Sequence, residues 1–445
     1  MKIVTSYSVR LRQAPSCLKD TLVKYREAVD WFIGIMDAEW NAYAECANNQ
    51  MAVRVSEKLC VKTAKNESPK YAFSDFFYKF PSYLRRAAIA EAFRLVSSYH
   101  SGLDNWNDLP ASERGRRPSF PKAGYVYPAM YRGNCFVRTG TYSARIKVWT
   151  RNTWDWLDVK LRKGDVDYIL RRCSSRKECV PTLRQRGKVW SLDFSFEESV
   201  ALADPKDIET QRILSVDLGL NSACVCSVMT SDGTVVGRRF LHLPSEYDHL
   251  RHCIGYIKHA QQSGARRMPG LWAKTRGVNA DISVKTARFI VDTAMMFGVD
   301  TIVMEVLDLK GKKRGSKKQR LSLWRAKYVQ SLVEVKAHRA GIRISRVCAW
   351  NTSRLAFDGS GRVLRGGETA KVGNNYSLCE FSNGKVYNCD LNASYNIGAR
   401  YYIREILRNQ SERTRLALTA KVPSLARRST CTLSDLKDLR AALVA

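Results

Sequence analysis

The chain has 445 residues and carries 74 Lys and Arg against 42 Asp and Glu, a formal net charge of +32 at pH 7. A chain of this length can hold two or three domains, each with its own core. An excess of positive charge on this scale predicts a large polyanionic partner, and nucleic acid accounts for it better than a solvated basic surface does.

The cysteines and the absence of long apolar runs indicate the compartment. The thirteen cysteines are scattered, odd in number and never arranged as Cys-x-x-Cys. This usage predicts reduced thiols rather than a disulfide framework. The chain starts without an apolar segment of signal-peptide length, and no run of about 18 apolar residues occurs. We therefore expect a soluble cytoplasmic protein without a membrane partner, associated with the nucleoid when bound to DNA.

The first part of the chain is predicted to be mainly helical. Residues 2–12 alternate like a strand, and apolar periodicity predicts helices over residues 17–45 and 82–100. The apolar stripe of the first helix indicates core packing in preference to a base-stacking surface. The second helix interleaves its apolar residues with basic ones, including Arg85 and Arg86, which predicts one basic face.

From Pro118 the pattern changes to short strands separated by turns, which predicts a small barrel. The first strand of the chain is expected to belong to it, so that the helical segment is an insertion. Basic residues such as Arg145 and Lys147 leave one face of the barrel positive. The predicted strands are residues 125–127, 135–138, 144–149, 156–161 and 189–194.

A further sheet is predicted to begin with the apolar run Ile213–Val216, which is typical of a buried strand and leads directly into Asp217. A second strand over residues 224–229 and a return over 234–236 follow. A buried carboxylate without a partner would cost several kcal/mol, so Asp217 needs a cation or a hydrogen-bond donor beside it.

Two more acids occupy similar positions. Glu305 follows the predicted strand 301–304, and Asp390 lies in the first turn of a predicted helix, beside the positive end of its dipole. If the three carboxylates converge at one sheet edge, each raises the pKa of its neighbours, and two Mg²⁺ ions roughly 4 Å apart would hold them ionised. The alternative is that each acid is an ordinary strand-end or helix-cap residue.

A cationic, glycine-broken segment follows Glu305 and leads to a helix predicted over residues 321–340. Its side chains repel one another unless phosphates neutralise them, so we expect a lid that orders on nucleic acid; a disordered basic loop is the alternative. The residues concerned are Lys310, Lys312, Lys313, Arg314, Lys317, Lys318 and Arg320.

The segments VDLGLNSACVCSVMTSDG, IVMEVLDLKGK and CDLNASYNIGARY together resemble the three-part RuvC nuclease of transposon-encoded TnpB proteins and compact type V CRISPR effectors. The resemblance extends over nearly the whole chain. It implies a multidomain α+β protein, with an RNase H-like (RuvC) α/β nuclease domain preceded by a small wedge β-barrel that contains an inserted helical recognition lobe. It also implies that Asp217, Glu305 and Asp390 are catalytic and bind Mg²⁺.

The resemblance implies seven segments, of which the last, after Arg408, is expected to be loosely attached except for a helix at its end with Ser434 as the cap. They are residues 1–16 (first wedge strand), 17–112 (recognition lobe), 113–204 (wedge barrel), 205–347 (RuvC domain, first part), 348–388 (zinc-ribbon-like, target-nucleic-acid-binding insert), 389–408 (RuvC domain, last part) and 409–445 (tail).

The insert departs from the family pattern of two Cys-x-x-Cys pairs. Ala356 and Gly359 stand at the first pair, and Cys379 and Ser382 at the second. A structural zinc ion needs four good ligands, and one is left, so zinc is not expected. We expect packing of aromatic side chains to hold the hairpins instead. These side chains include Phe357, Tyr376, Phe381 and Tyr387.

The leading hypothesis is an RNA-guided DNA endonuclease with guide RNA, target double-stranded DNA and its displaced strand as partners. One alternative is an RNA-guided regulator that binds without cutting, although a pure binder gains nothing from three clustered carboxylates. Another is a structure-selective RuvC-type nuclease, which would not require about 200 residues of basic lobe and barrel ahead of the catalytic sheet. The origin of the guide and the oligomeric state stay open.

Overall fold

The computed structural model of the protein describes residues 1–64, 66–219, 222–307, 325–373, 375 and 377–444. The chain divides into two units, one formed by Lys2–Ser199 and the other by Met1 with Val200–Ala445. No helix in these described ranges is both long and apolar enough to cross a membrane.

The unit Lys2–Ser199 contains two antiparallel sheets. The long strand at its end pairs along its whole length with the first strand of the chain, from Lys2↔Ser199 to Arg10↔Ser191. The two sheets meet at isolated bridges such as Leu11↔Leu161, so the predicted barrel is divided into two sheets. The first sheet holds β1 (Lys2–Arg10), β5 (Lys177–Glu178), β6 (Thr182–Arg186) and β7 (Val189–Ser199), and the second holds β2 (Phe136–Gly140), β3 (Ser143–Thr150) and β4 (Thr153–Lys160).

The helices of this unit agree in part with the sequence pattern. The first predicted helix is confirmed but breaks at Glu39, and its apolar stripe is buried in the core as expected. The predicted strand over residues 125–127 is wrong, because a 3₁₀ turn at Ala123–Tyr125 leaves Tyr125 93% exposed. The helices are α1 (Cys17–Ala38), α2 (Trp40–Tyr43), α3 (Asn49–Cys60), α4 (Phe73–Phe76), α5 (Ser82–Asn107) and α6 (Lys163–Cys173).

The second unit is built on a five-stranded sheet of order β10-β9-β8-β11-β12. The strands β8, β9 and β10 pair antiparallel, and β11 and β12 run parallel to β8. The predicted strands over residues 213–216, 224–229 and 301–304 are confirmed. The strands are β8 (Ile213–Asp217), β9 (Cys224–Met229), β10 (Val235–Leu241), β11 (Thr301–Glu305) and β12 (Arg343–Val347).

Helices cover both faces of this sheet, because the central strands are apolar on both sides. Alternate residues of β8 point to opposite faces, so that Leu214 packs against α8 and α9 while Ile213 packs in the core of α10. Gly398 lets α10 approach the sheet closely, since a Cβ there would overlap Met229 Sδ. The helices are α7 (Pro244–Gln262), α8 (Pro269–Met296), α9 (Ala326–Arg339) and α10 (Cys389–Arg408).

The expectation of a loosely attached segment after Arg408 is wrong. It forms α11 (Glu412–Lys421) and α12 (Leu433–Val444), and Leu418, Leu436 and Leu439 are buried in the same core as α10. Spaced apolar residues in an otherwise polar segment are sufficient here, because they cover a face of α10 that would otherwise be exposed.

The predicted cap of the last helix is also wrong. Ser434 is the second residue inside α12, and Thr432 takes the capping position. The backbone N–H of Thr432 donates to Asp435 Oδ2 at 2.6 Å, and the backbone N–H of Asp435 donates to Thr432 Oγ1 at 3.5 Å.

Candidate active site

Two of the three predicted acids leave the sheet at the same edge. The parallel strands β8 and β11 are in register from Thr301↔Ile213 to Met304↔Val216. The next residues along the two strands are Asp217 and Glu305, so parallel pairing places their backbones side by side. The local sequence dictates this position, because the apolar run that precedes each acid is buried as a central strand.

The third acid comes from α10, which packs against β8. The helix begins at Cys389 because Asn388 caps it, with the side-chain oxygen accepting a hydrogen bond from the backbone N–H of Leu391 at 2.9 Å. This places Asp390 in the first turn. The loop after β8 comes close to Asp390, since a Cβ on Gly219 would lie 3.2 Å from Asp390 Oδ2. A larger residue at position 219 would therefore press on the carboxylate.

The three carboxyl groups act on one another electrostatically. The pKa of Asp217 is raised well above its ordinary value, first by burial and then by the charges of Glu305 and Asp390. Burial also raises the pKa of Glu305 and of Asp390. Burial and charge thus link Asp217 to the other two predicted acids, and its ionised form is costly without a cation.

Neighbouring side chains partly offset this cost, and the sequence patterns did not assign them. The Thr352 hydroxyl donates to Glu305 Oε1 at 2.5 Å, and the charge of Arg400 also lowers the pKa of Glu305. Arg365 lowers the pKa of both Asp217 and Asp390, and Ser222 and His242 lower that of Asp390 as well.

Sequence signals exist for three of these residues. Ser222 lies within the same segment as Asp217. Thr352 occurs in the Thr-Ser pair that precedes the first hairpin of the insert, and Arg400 lies within the same segment as Asp390. The Arg400 guanidinium is 5% exposed and donates to four backbone carbonyls, which join α10 to the loop after β12 and to the end of the chain. Arg365 lies on a separate hairpin, and nothing in its sequence surroundings points to the acids.

The chemistry of the donor set fits Mg²⁺, because three buried carboxylates offer hard oxygen ligands whose mutual repulsion a divalent cation would relieve. Among the described residues, however, no three His, Cys, Asp or Glu side chains lie close enough together to hold a metal ion. The carboxylates would have to close on a shared cation, which Glu305 could bind through Oε2 while Oε1 keeps its hydrogen bond from the Thr352 hydroxyl.

The insert contains a small sheet of β13 (Leu364–Arg365), β14 (Leu378–Glu380) and β15 (Val386–Asn388). Four rings pack beside it: the ring centroid of Phe357 lies 5.6 Å from that of Phe381, 5.1 Å from that of Tyr387 and 5.1 Å from that of Tyr395. We call these four residues the aromatic cluster. The predicted aromatic packing is confirmed for Phe357, Phe381 and Tyr387, and Tyr376 lies outside the described residues.

At the four positions where the resembled family has zinc-binding cysteines, the residues of this chain make other contacts. Ala356 is fully buried, and Gly359 has a positive φ of 80° and lies close to Ser434. The Ser382 hydroxyl donates to the backbone carbonyl of Arg362 at 3.4 Å. Cys379 is a free thiol, hydrogen-bonded to the Cys389 thiol and to the carbonyl of Tyr387.

The residues predicted to contact nucleic acid differ in the partners that they have within the protein. Both Arg85 and Arg86 pair with Glu57, at 3.4 and 2.8 Å, so one carboxylate offsets one of their two positive charges. The side chains of Arg145 and Lys147 lie over the ring of Trp156, at 5.9 and 5.2 Å from its centroid. The predicted lid residues, Lys310, Lys312, Lys313, Arg314, Lys317, Lys318 and Arg320, lie outside the described residues.

Comparisons with known proteins give loose similarities. The Aq_aa04 family matches residues 5–150, about a third of the chain, and no curated protein matches. The mini-RNA-guided endonuclease CRISPR-Cas_phi3 is similar in structure over 89% of this chain and 92% of its own, with a TM-score of 0.49 and 9% identity.

Two further solved structures show weaker likeness. A Cas12f1–sgRNA–target DNA complex is similar over 89% of this chain and 98% of its own, with a TM-score of 0.34 and 15% identity. C2c1 of Alicyclobacillus acidoterrestris, in complex with single-guide RNA, is similar over 86% of this chain and 70% of its own, with a TM-score of 0.41 and 11% identity.

Proposed function

We propose that the protein is an RNA-guided DNA endonuclease that cuts DNA by phosphodiester hydrolysis at a single carboxylate site. The observation that carries this proposal is the convergence of Asp217, Glu305 and Asp390 at one edge of the sheet, with burial and mutual charge raising the pKa of Asp217. Buried like charges destabilise a fold, so their presence indicates a task that needs them.

The sheet supports the nuclease part of the proposal. Its order β10-β9-β8-β11-β12, with three antiparallel strands followed by two parallel ones, sets the ends of β8 and β11 side by side, in agreement with the RNase H-like domain that the resemblance implies. The first acid ends the first strand of the sheet in chain order and the second ends the fourth. The guide-RNA part rests on the resemblance of the three acidic segments to TnpB and type V effectors and on the net charge of +32.

The three carboxylates would hold two Mg²⁺ ions, which when bound activate a water molecule and stabilise the leaving oxygen of the phosphodiester. The remaining groups position these ligands. The Thr352 hydroxyl orients Glu305, and Ser222 orients Asp390. Arg365 offsets part of the negative charge on Asp217 and Asp390, which limits the cost of keeping both ionised.

The test is to replace Asp217, Glu305 and Asp390 singly by Ala and to measure cleavage of a guided DNA target with Mg²⁺, beside equilibrium binding of guide RNA and target. We expect each change to lower the cleavage rate at least about a thousandfold, with binding nearly intact. Asp292→Ala is a matched control, because Asp292 is an exposed acid of α8 that pairs with Arg288 at 3.3 Å. The control should cleave normally.

Two results would contradict the proposal in different ways. Robust cleavage by any of the three variants would remove that acid from the site. Guided DNA binding by the unaltered protein, without cleavage under any divalent cation, would replace the endonuclease by an RNA-guided regulator. Sequencing the RNA that co-purifies with the protein identifies the guide in either case.

A further inference from the structure

A groove of about 1100 Å³ lies in the second unit, between the end of β12, the second half of α10, and α11. Its size exceeds that of most small-molecule pockets, which are roughly 300–1,000 Å³, and suits a segment of a polymer. We call it the arginine groove and define it by six of its lining residues: Arg346, Trp350, Arg404, Arg408, Arg415 and Arg428.

The charge of the groove is strongly positive. Five of its six defining residues are arginines, and the two carboxylates in its lining are Glu405 and Glu412. Glu405 already pairs with Arg404 at 2.6 Å and lies 3.9 Å from Arg408. Arg415 and Arg428 are exposed on α11 and just beyond it. Arg346 pairs with Glu334, outside the lining, at 2.9 Å. The guanidinium groups of the groove still outnumber the carboxylates beside them, and this surplus indicates a ligand with several negative charges.

An exposed aromatic ring lies among these charges. Trp350 is 72% exposed and lines the groove, while its backbone carbonyl accepts a hydrogen bond from Arg400 Nη1 at 2.6 Å. The hydrogen bond from Arg400 thus fixes the backbone at Trp350, while the indole ring is exposed to solvent. Guanidinium groups beside an accessible aromatic ring are the combination by which proteins bind unpaired nucleotides, through phosphate pairing and base stacking.

The groove continues to the carboxylate site along the chain itself. Val306 lines the groove and directly follows Glu305. Trp350 precedes by two residues Thr352, which donates to Glu305. Arg400 lines the groove as well, and its charge lowers the pKa of Glu305. A strand in this groove would therefore pass beside the acids.

We propose that the arginine groove binds single-stranded nucleic acid, with phosphates on Arg415 and Arg428 and a base on the ring of Trp350, and that it leads the strand to Asp217, Glu305 and Asp390. This inference rests on the proposed function and adds to it the substrate form at the cutting site. A single strand is specified because paired bases do not present their faces to a tryptophan ring.

The experiment uses the full chain with Asp217→Ala, which prevents cleavage while leaving the groove unchanged. Fluorescence anisotropy measures binding of a labelled 12-nucleotide oligodeoxynucleotide, the same sequence as RNA, the duplex, and a poly-glutamate peptide. The groove variant adds Trp350→Ala, Arg415→Ala and Arg428→Ala. The matched control adds Tyr256→Ala, Arg251→Ala and Arg266→Ala, which removes one exposed aromatic and two exposed arginines elsewhere in the same unit.

We expect the groove variant to weaken single-strand binding at least about tenfold, from the lost stacking alone. The slope of log affinity against log salt should flatten by about 1.4, because two phosphate contacts at about 0.7 each are lost. The control should change affinity less than about threefold. Stronger loss with DNA than with RNA identifies the cut strand as the occupant, and the reverse result identifies the RNA.

A second measurement does not depend on substitution. An oligonucleotide carrying 5-iodouracil, irradiated on the otherwise unaltered chain, should crosslink to residues 347–354, a tryptic peptide in which Trp350 is the sole tryptophan. Equal weakening in the groove and control variants, or crosslinks that avoid this peptide, would overturn the proposal. So would poly-glutamate binding that is as tight and equally sensitive to the groove variant. If the groove variant binds like the control while the unaltered chain still cleaves guided DNA, the groove proposal fails and the nuclease proposal stands. If the unaltered chain binds guided DNA without cleaving it, the proposed function fails independently of the groove.

Discussion

Two neighbouring regions of the second unit make opposite contributions to the free energy of folding. At the carboxylate site, burial and like charge both disfavour the ionised form of Asp217. In the aromatic cluster, apolar rings pack edge to face, and Phe381 is 1% exposed. The first region costs folding free energy in the absence of a cation, and the second supplies it. The difference shows that the site and its support are separate parts of the same unit.

The two regions are joined by hydrogen bonds through α10. The backbone N–H of Phe357 donates to Asn392 Oδ1 at 2.8 Å, and the Asn392 amide donates to the carbonyl of Leu355 at 2.9 Å. Asn392 is two residues beyond Asp390 on the helix. The aromatic cluster thereby fixes the position of the first turns of α10, which carry Asp390. Substitutions in the cluster should therefore change stability, and substitutions at the acids should change cleavage.

The largest effect is expected in the aromatic cluster. Phe381→Ala should lower the free energy of unfolding by about 3–5 kcal/mol, because it removes a fully buried ring. Phe381→Leu, which keeps most of the apolar volume, should cost about 1–2 kcal/mol. Urea denaturation of both variants measures the difference. A loss below 1 kcal/mol for the alanine variant would show that the cluster is not the support of this region.

The close approach of α10 to the sheet gives the next effect. Gly398→Ala should destabilise the protein by about 1–3 kcal/mol, because the added Cβ would overlap Met229 Sδ. Gly277→Ala is the matched control: Gly277 lies within α8 with no atom within 4 Å of the added Cβ, so it should stabilise by about 0.5–1 kcal/mol. If both changes stabilise, the helix does not depend on close contact at Gly398.

At the carboxylate site we expect a substitution that raises the free energy of unfolding instead of lowering it. Because the folded-state pKa of Asp217 is raised, the folded state binds the proton more tightly, and its stability falls as pH rises through that pKa. Asp217→Asn removes this penalty and should stabilise the chelator-treated protein at pH 8 relative to the unaltered chain. The stabilisation by Asp217→Asn should vanish near pH 4, where the carboxyl group is protonated in the folded state. It should also be smaller with Mg²⁺, because the cation offsets the charge of the ionised carboxylate. Denaturation at both pH values checks it, and a destabilised variant at pH 8 would contradict the account.

Arg365 links the hairpin sheet to the acids electrostatically, and its replacement should shift the pH dependence of cleavage. Arg365→Gln removes a charge that lowers the pKa of Asp217 and Asp390, so the acidic limb of the rate profile should move to higher pH. Arg365→Lys keeps the positive charge, so its acidic limb should lie between those of the unaltered protein and the glutamine variant. An unchanged limb in the glutamine variant would separate the hairpin sheet from the chemistry.

The smallest effect concerns zinc. We predict no stoichiometric zinc, since Ala356, Gly359 and Ser382 replace three ligands of the family pattern. Elemental analysis of the chelator-washed protein, with a denaturation curve before and after chelation, should show less than one ion per chain and no change in stability. One tightly held zinc ion would mean that Cys379 has recruited other ligands, such as Cys348 or Cys389.

The sequence by itself determined the elements that carry the acids. The apolar runs before Asp217 and Glu305 are buried strands, and the start of α10 at Cys389 follows from a helix signal within a few residues. The aromatic packing of Phe357 and Phe381 also followed from residue type. Such signals are readable because burial and capping act within a short window of chain.

The tertiary structure alone decided which distant side chains meet. Arg365 reaches the acids through a hairpin, and Glu57 of α3, a helix that the sequence pattern did not predict, pairs with both Arg85 and Arg86. The helices after Arg408 join the core because α10 leaves them an apolar face to cover. Charge pairing and burial between segments far apart in sequence depend on distances that no local pattern contains, which is why these contacts could not be predicted.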